Sequence, residues 1–205
     1  RELTQNGGGN SAAGRSNHLV LDDTEGKIQA QLKSDHLHSE VNLGHIGRIQ
    51  GHVGRAEDRG EGLELRTDGH GVVRAGQGLV LSTDAREKAR GPVKDLGEPV
   101  QRLTQARERH EALANLAGQH KAQDAGQDQV EVSQGLKTQS DAIRGEGGQP
   151  FPELSQPHLV LTSPAGIQAA TGGSTHIASG EHTAITSAAH TSVASNKGLL
   201  GSGLE

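Results

Sequence analysis

The chain has 205 residues, 31% of them hydrophobic, with 30 glycines and a single aromatic, Phe151, so the large side chains that normally fill a compact single-chain core are missing. A net charge of −5, with Arg and Lys scattered along the chain, excludes the basic footprint of nucleic-acid binding. The absence of Cys excludes disulfides, thiol catalysis and cysteine-ligated zinc, and no apolar run is long enough to cross a membrane as a helix.

The first residues, RELTQNGGGN, hold no initiator Met and no basic stretch ahead of an apolar one, so the sequence reads as an excised fragment without a secretory leader. GGGN at residues 7–10 lacks the Gly-Lys-Ser or Gly-Lys-Thr of a phosphate-binding loop and reads as a flexible lead-in. Ser16 and His18 have neither a GxSxG elbow nor an acid partner, which leaves a hydrolase triad without support. From 18 to 83 the apolar residues alternate over short windows, HLVLDD, KIQAQL, EVNLGHI, GLELRTD, GVVRAG and GLVLSTD, and predict strands of about five residues. Glycines 26, 44, 62, 71, 76 and 78 separate them, and the polar stretch 48–60 reads as a loop.

Between 93 and 144 the spacing changes to three and four. Leu96, Val100, Leu103, Ala106, His110, Leu113, Ala117 and His120 form one stripe, which predicts a helix starting near Pro99 with Val100, Leu103 and Leu113 in its seam. DAGQD at 124–128 turns the chain, and a second helix carrying Val132, Leu136 and Ile143 returns along the first as a hairpin. GEGGQPFPELSQP at 145–157 excludes regular structure, and HLVLTSPAGIQAA resumes short strands, so a helical insert interrupts one β element. The expected organisation is a first β region at 1–84, insert and Gly/Pro linker at 85–157, and a repetitive β segment at 158–200. The final GSGLE, 201–205, reads as a spacer with a cloning-site remnant.

Three octads follow one another without a gap: GSTHIASG from Gly173, EHTAITSA from Glu181 and AHTSVASN from Ala189. A fixed period of eight means stacked units. The spacing of two within each unit puts Thr, an aliphatic and Ser on one face of a strand. Ile177, Ile185 and Val193 make a column too thin for one chain to bury, so neighbouring turns or neighbouring chains supply the other walls. The fold expected is mainly β, a repetitive β-helix or β-prism needle built as an intertwined homotrimer, with these three residues at the trimer core. A single-chain β-solenoid is the alternative, for which three octads are few.

Among the 12 histidines, His36 and His38 make the sharpest metal candidate. On a strand they would share a face, and three chains would bring six imidazoles to one axis, a set suited to an octahedral metal. The other reading is a solvated polar turn after Asp35. His176, His182 and His190 fall opposite the Ile column and read as surface, and His110 and His120 as polar register positions on the helical seam. No catalytic residue and no cofactor is assigned.

The blocks GGGNSAAGRSNHLVLDDTEGKIQAQLKSDH at 7–36 and GEGLELRTDGHGVVRAGQGLVLSTDAR at 60–86 resemble the type VI secretion spike proteins of the valine-glycine repeat G (Vgr) family. LTSPAGIQAATGGSTHIASGEHTAITSAAHTSVAS at 161–195 resembles the C-terminal β domain of the same family, so the resemblance covers nearly the whole chain. It implies the region beyond the phage-hub-like and OB-fold parts, where three copies wind into a β-prism similar to the puncturing spike of contractile phage tails. The partners it implies are a tail-tube protein, through a hub that this chain lacks, a spike-tip protein, and an effector or adaptor. It further implies assembly in the bacterial cytoplasm and export by the secretion machine to the extracellular space or a target cell, without stable membrane insertion. The needle is expected to end shortly after Leu200, with no effector extension and hence no enzymatic activity. The expected function is mechanical, a rigid needle that helps deliver effectors. Two alternatives stand beside it: an interaction module whose helical insert docks an effector or adaptor, and a carbohydrate-active single-chain β-solenoid. The solenoid enzyme needs paired carboxylates on adjacent turns, where the octads offer only Glu181.

Overall fold

Short alternating windows separated by glycines build an antiparallel meander in the first part of the chain. A computed structural model describes residues 3–6, 16–49, 54–122, 129–145, 147 and 152–201, and the chain divides into two compact units at Val73/Arg74. The first unit is a five-stranded sheet of β1 (Leu3–Asn6), β2 (Ser16–Asp22), β3 (Gln29–Ser34), β4 (Ser39–Ile49) and β5 (Arg55–Arg66), each strand beside its sequence neighbour. Gly44 on β4, at φ 91°, lies so close to the Ile28 carbonyl that a Cβ would collide with it.

Register places Leu19, Leu32, Val41 and Leu65 in one row and Leu21, Ala30, Leu43 and Leu63 in another. Because side chains alternate between faces, these leucines share one face of the sheet, while Val20, Gln31, Asn42 and Glu64 share the other. The burial is inverted relative to a free-standing soluble sheet: the leucines are exposed, whereas Gln29 and Asn42 are 1% and 0% exposed.

The buried polar face is satisfied by a chain of hydrogen bonds. Arg59 donates twice to the Glu64 carboxylate, at 2.9 and 2.6 Å, and holds its carboxyl below the usual carboxylate range. Asn42 Nδ2 donates to Glu64 at 2.9 Å, Gln31 Nε2 donates to Asn42 Oδ1 at 2.7 Å, and His18 Nε2 stands 2.7 Å from Gln31 Oε1. Since an ionised carboxylate only accepts, the direction of every amide follows from Glu64, and His18 must carry its proton on Nε2. Gln29 closes the same face by a two-way bond with the Gly47 backbone, at 2.9 and 3.1 Å.

Two expectations are corrected here, and of the two readings of His36 and His38 the solvated turn is the one found. The stretch 48–60 is not all loop, because β5 begins at Arg55. Its charges pair across strands, Arg55 with Asp22 at 2.8 Å and Lys27 with Asp58 at 2.7 Å, so the strand needs no apolar alternation. GVVRAG at 71–76 joins no ladder, and Val72 and Val73 are exposed. His36 and His38 do not lie on a strand: with Leu37, at φ 53°, they form a single exposed 3-10 turn after Asp35.

In the second unit β6 (Leu79–Ser82) and β7 (Leu159–Thr162) pair in parallel, Leu79 opposite Leu159 through Ser82 opposite Thr162. Between them run α1 (Gly97–Gln119) and α2 (Val130–Arg144), the expected hairpin, with α1 starting two residues before Pro99. Pro99 sits in the first turn, where its missing N–H breaks no helical bond. Leu96, Ile143 and Val160 form the core, flanked by Val80, Val100, Leu103 and Leu154, so the insert packs on the strands it interrupts. At the end of α2, Gly145 at φ 77° abuts the Pro152 carbonyl, and the returning chain bonds back through Leu154 N–H to Ile143 O at 3.0 Å. The strand at 79–82 thus belongs with 159–162 in the second unit, and not in a first β region that runs to 84. The expected turn at 124–128, Phe151, and all of the terminal GSGLE but Gly201 lie outside the described residues.

Replacing Asn42 with Ala strands the Gln31 amide and removes a donor from Glu64 inside the sheet. The expected loss is about 1–3 kcal/mol, seen as a lower urea midpoint at unchanged slope.

A candidate assembly surface

Past β7 the backbone is extended with a bend every eight residues, at 164–165, 172–173, 180–181, 188–189 and 196–197. A hydroxyl side chain precedes each bend. Ser163 Oγ accepts from Ala165 N–H, Thr171 Oγ1 from Gly173 N–H, Ser187 Oγ from Ala189 N–H and Ser195 Oγ from Gly198 N–H, at 3.1–3.2 Å, while Ser179 Oγ bonds Thr183 Oγ1 at 2.9 Å. Such bonds replace the backbone bond of a tight turn. The octads therefore begin two units before Gly173, with Leu161 and Ala169 continuing the aliphatic position. Reading the sequence missed them because Ala169 interrupts the column and Leu159 and Ile167 stand where later octads have Thr. It also passed over a repeat on either side of the insert, GLVLST at 78–83 and HLVLTS at 158–163.

Two sets of groups in this segment lack a backbone or packing partner among the described residues. Among the described residues, no backbone N–H or carbonyl between 163 and 201 pairs with another backbone group. Ile177, Ile185 and Val193 are 80%, 76% and 67% exposed. The first unit presents the same kind of surface on its leucine face, where Leu32, Val41, Leu65, Val72 and Val73 line an open apolar groove of about 670 Å³.

Helix α1 lies along the octads and measures their advance. Arg102 donates to Thr162 Oγ1 at 2.9 Å, and His110 Nδ1 is hydrogen-bonded to Thr186 Oγ1 at 3.0 Å. From Arg102 to His110 the helix rises about 12 Å. The 24 residues from Thr162 to Thr186 would span roughly 80 Å if drawn out straight. Three octads therefore bring the chain back to the same helix, at a net advance on the order of 4 Å per octad, close to the roughly 4.7–4.9 Å between adjacent strands.

The N-terminal end of α1 is fixed to the end of β6 by ion pairs. Arg102 donates to both Asp84 carboxylate oxygens, at 2.8 and 2.6 Å, and with Ser82 lowers the Asp84 pKa to about 2. Arg86 bonds the Glu98 carboxylate and holds it below the usual range. Of the seam residues read from the sequence, Val100 and Leu103 flank the core, while Leu113 is exposed. Among the described residues no three His, Asp or Glu side chains come together as a metal site, and no helix is long and apolar enough to cross a membrane.

Residues 9–117 match the family described as type VI secretion system Rhs element Vgr, and 146–203 match a family of uncharacterised proteins conserved in bacteria, DUF2345. The chain is 38% identical over 159 residues to the type VI secretion system spike protein VgrG2b of Pseudomonas aeruginosa and 37% identical over 158 residues to VgrG2a of the same organism. Each alignment takes in 76% of this chain but only 15% and 18% of those relatives, so the chain corresponds to a small part of their length. Among solved structures, the VgrG spike from the type 6 secretion system is similar with a TM-score of 0.75 at 25% identity, over 92% of this chain and 64% of that one. A VgrG spike solved with an effector bound gives 0.77 at 24% identity, over 98% and 55%, and supports the fold.

The Asp84 clamp gives a pH signature. Its folded pKa lies below the unfolded value of about 3.9, so the stabilisation is complete above that value and is lost as pH falls through about 2. In thermal melts followed by helical circular dichroism, the midpoint gap between wild type and Asp84→Asn is expected to be widest above about pH 4 and to close toward pH 2.

Proposed function

Given that the chain belongs to the type VI secretion system Vgr family, we propose that it forms the needle segment of a secretion spike, three copies wound around one axis. The observation that carries this is the winding. One circuit of the octads climbs about 12 Å, which leaves room for two more strands between successive passes of the chain on any one side. Two further copies, each offset by one strand spacing, fill that room and supply partners for the backbone groups that are unpaired between 163 and 201. A single-chain solenoid would instead climb one strand spacing per circuit and bond its own turns together. The close parallel pairing of β6 with β7 shows what such bonding looks like, and it stops at Thr162 among the described residues.

In this assembly the exposed column of Ile177, Ile185 and Val193 turns to the axis, where burial contributes roughly 1.5–3 kcal/mol for each side chain. The leucine face of the first unit is covered in the same way by the other copies. Continuous interchain pairing leaves free strand edges only at the ends, and it resists bending without a globular core. The function is mechanical, with no substrate turned over. Partners follow from the relatives: an effector or adaptor carried on the spike, supported by the similar VgrG spike solved with an effector bound, a tip protein, and the tail tube below. The spike would assemble in the cytoplasm and leave the cell by type VI secretion.

Light scattering across a dilution series tests the assembly. The expected result is a stable mass near three times 21.3 kDa for the wild type and a monomer for Ile185→Asp, which would place three carboxylates together on the axis. A wild-type monomer at all concentrations overturns the proposal.

A further inference from the structure

Helix α1 has an unpartnered side, and the winding says what covers it. Thr162, Ala170, Ala178, Thr186 and Ala194 occupy the same position in successive octads. The two threonines, three octads apart, both reach α1 of their own chain, through Arg102 and His110. Ala170, Ala178 and Ala194 are exposed. If three copies share the needle, the two rungs between Thr162 and Thr186 on the α1 side belong to the other two protomers. The residues they present there are one partner's Ala170 and the other partner's Ala178.

Resting on the trimeric reading, we infer that α1 is a strap between protomers, laid across the strands of both partners and pinned at two points to its own chain. The sequence fits this division. Own-chain rungs carry a threonine that hydrogen-bonds the helix, and the crossed rungs carry alanine, whose single methyl lets a helix approach a strand closely. On α1, Ala106 lies at helical spacing between Arg102 and His110, and Leu113 lies about one turn beyond His110 on the same side, yet both are exposed within the chain. Leu113 then falls at the level of the next rung, a partner's Ala194. The strap explains why a seam residue legible in the sequence, Leu113, is left uncovered by its own chain.

The natural absence of cysteine makes a direct test available. Ala106→Cys with Ala178→Cys, and separately Leu113→Cys with Ala194→Cys, are introduced into the full chain and oxidised mildly. Mass is read in solution and linkage on denaturing gels with and without reductant. The expected outcome is a trimer whose chains become linked into a covalent three-chain species by at least one pair, with each single-cysteine variant remaining unlinked. All four positions are exposed in the single chain, so the substitutions leave its fold intact, and the second pair guards against failure of the first. A trimer in which both pairs stay unlinked, or link only within one chain, overturns the strap while leaving the needle standing. A monomer overturns both.

Discussion

Extended backbone is satisfied by a hydrogen-bonding neighbour about 4.8 Å away, and among the described residues this chain supplies none to itself beyond Ser163. Most features of the second unit follow from that requirement. Short octads with a hydroxyl at each bend keep the backbone extended between corners. In the proposed needle the wide pitch leaves positions for other strands, and a column of one aliphatic per octad suffices if three copies bring three of them together at every level.

The first unit answers a related demand with the opposite economy of side chains. Its sheet hides amides and a carboxylate and shows leucines. A chain of hydrogen bonds running from exposed Arg59 through half-buried Glu64 to buried Asn42, Gln31 and His18 is directional, because each member both orients and is oriented by the next. Slipping the strands by one residue would break every link at once, so the polar face fixes register while the leucine face is left for contact.

Much of this was legible in the residues, and the failures have physical causes. Period-two windows located β2, β3, β4 and β6 because apolar residues alternate along them onto one face, even though in the first unit that face is exposed, and three-four spacing located the hairpin. β5 was missed at its start because charge pairing holds Arg55 and Asp58 where apolar alternation would otherwise be expected. GVVRAG has strand-like residues without a ladder, since pairing depends on a neighbour that local pattern does not encode. The octad column was read in three units where five exist. Ala169 fills the aliphatic position with a methyl, and the period survives there only in the hydroxyls of Ser163 and Thr171.

The pairing of β6 with β7 has a consequence for the insert that the two strands bracket. Whatever happens between Thr83 and Ser163, the chain leaves one lane and rejoins that lane a single rung higher, with Thr83 Oγ1 and Ser163 Oγ 2.9 Å apart. An ordinary octad climbs one rung and also turns a corner, so the excursion adds height without adding rotation. In the proposed needle, the corners above this seam therefore keep their angular phase whatever the length of the insert that the two paired strands bracket.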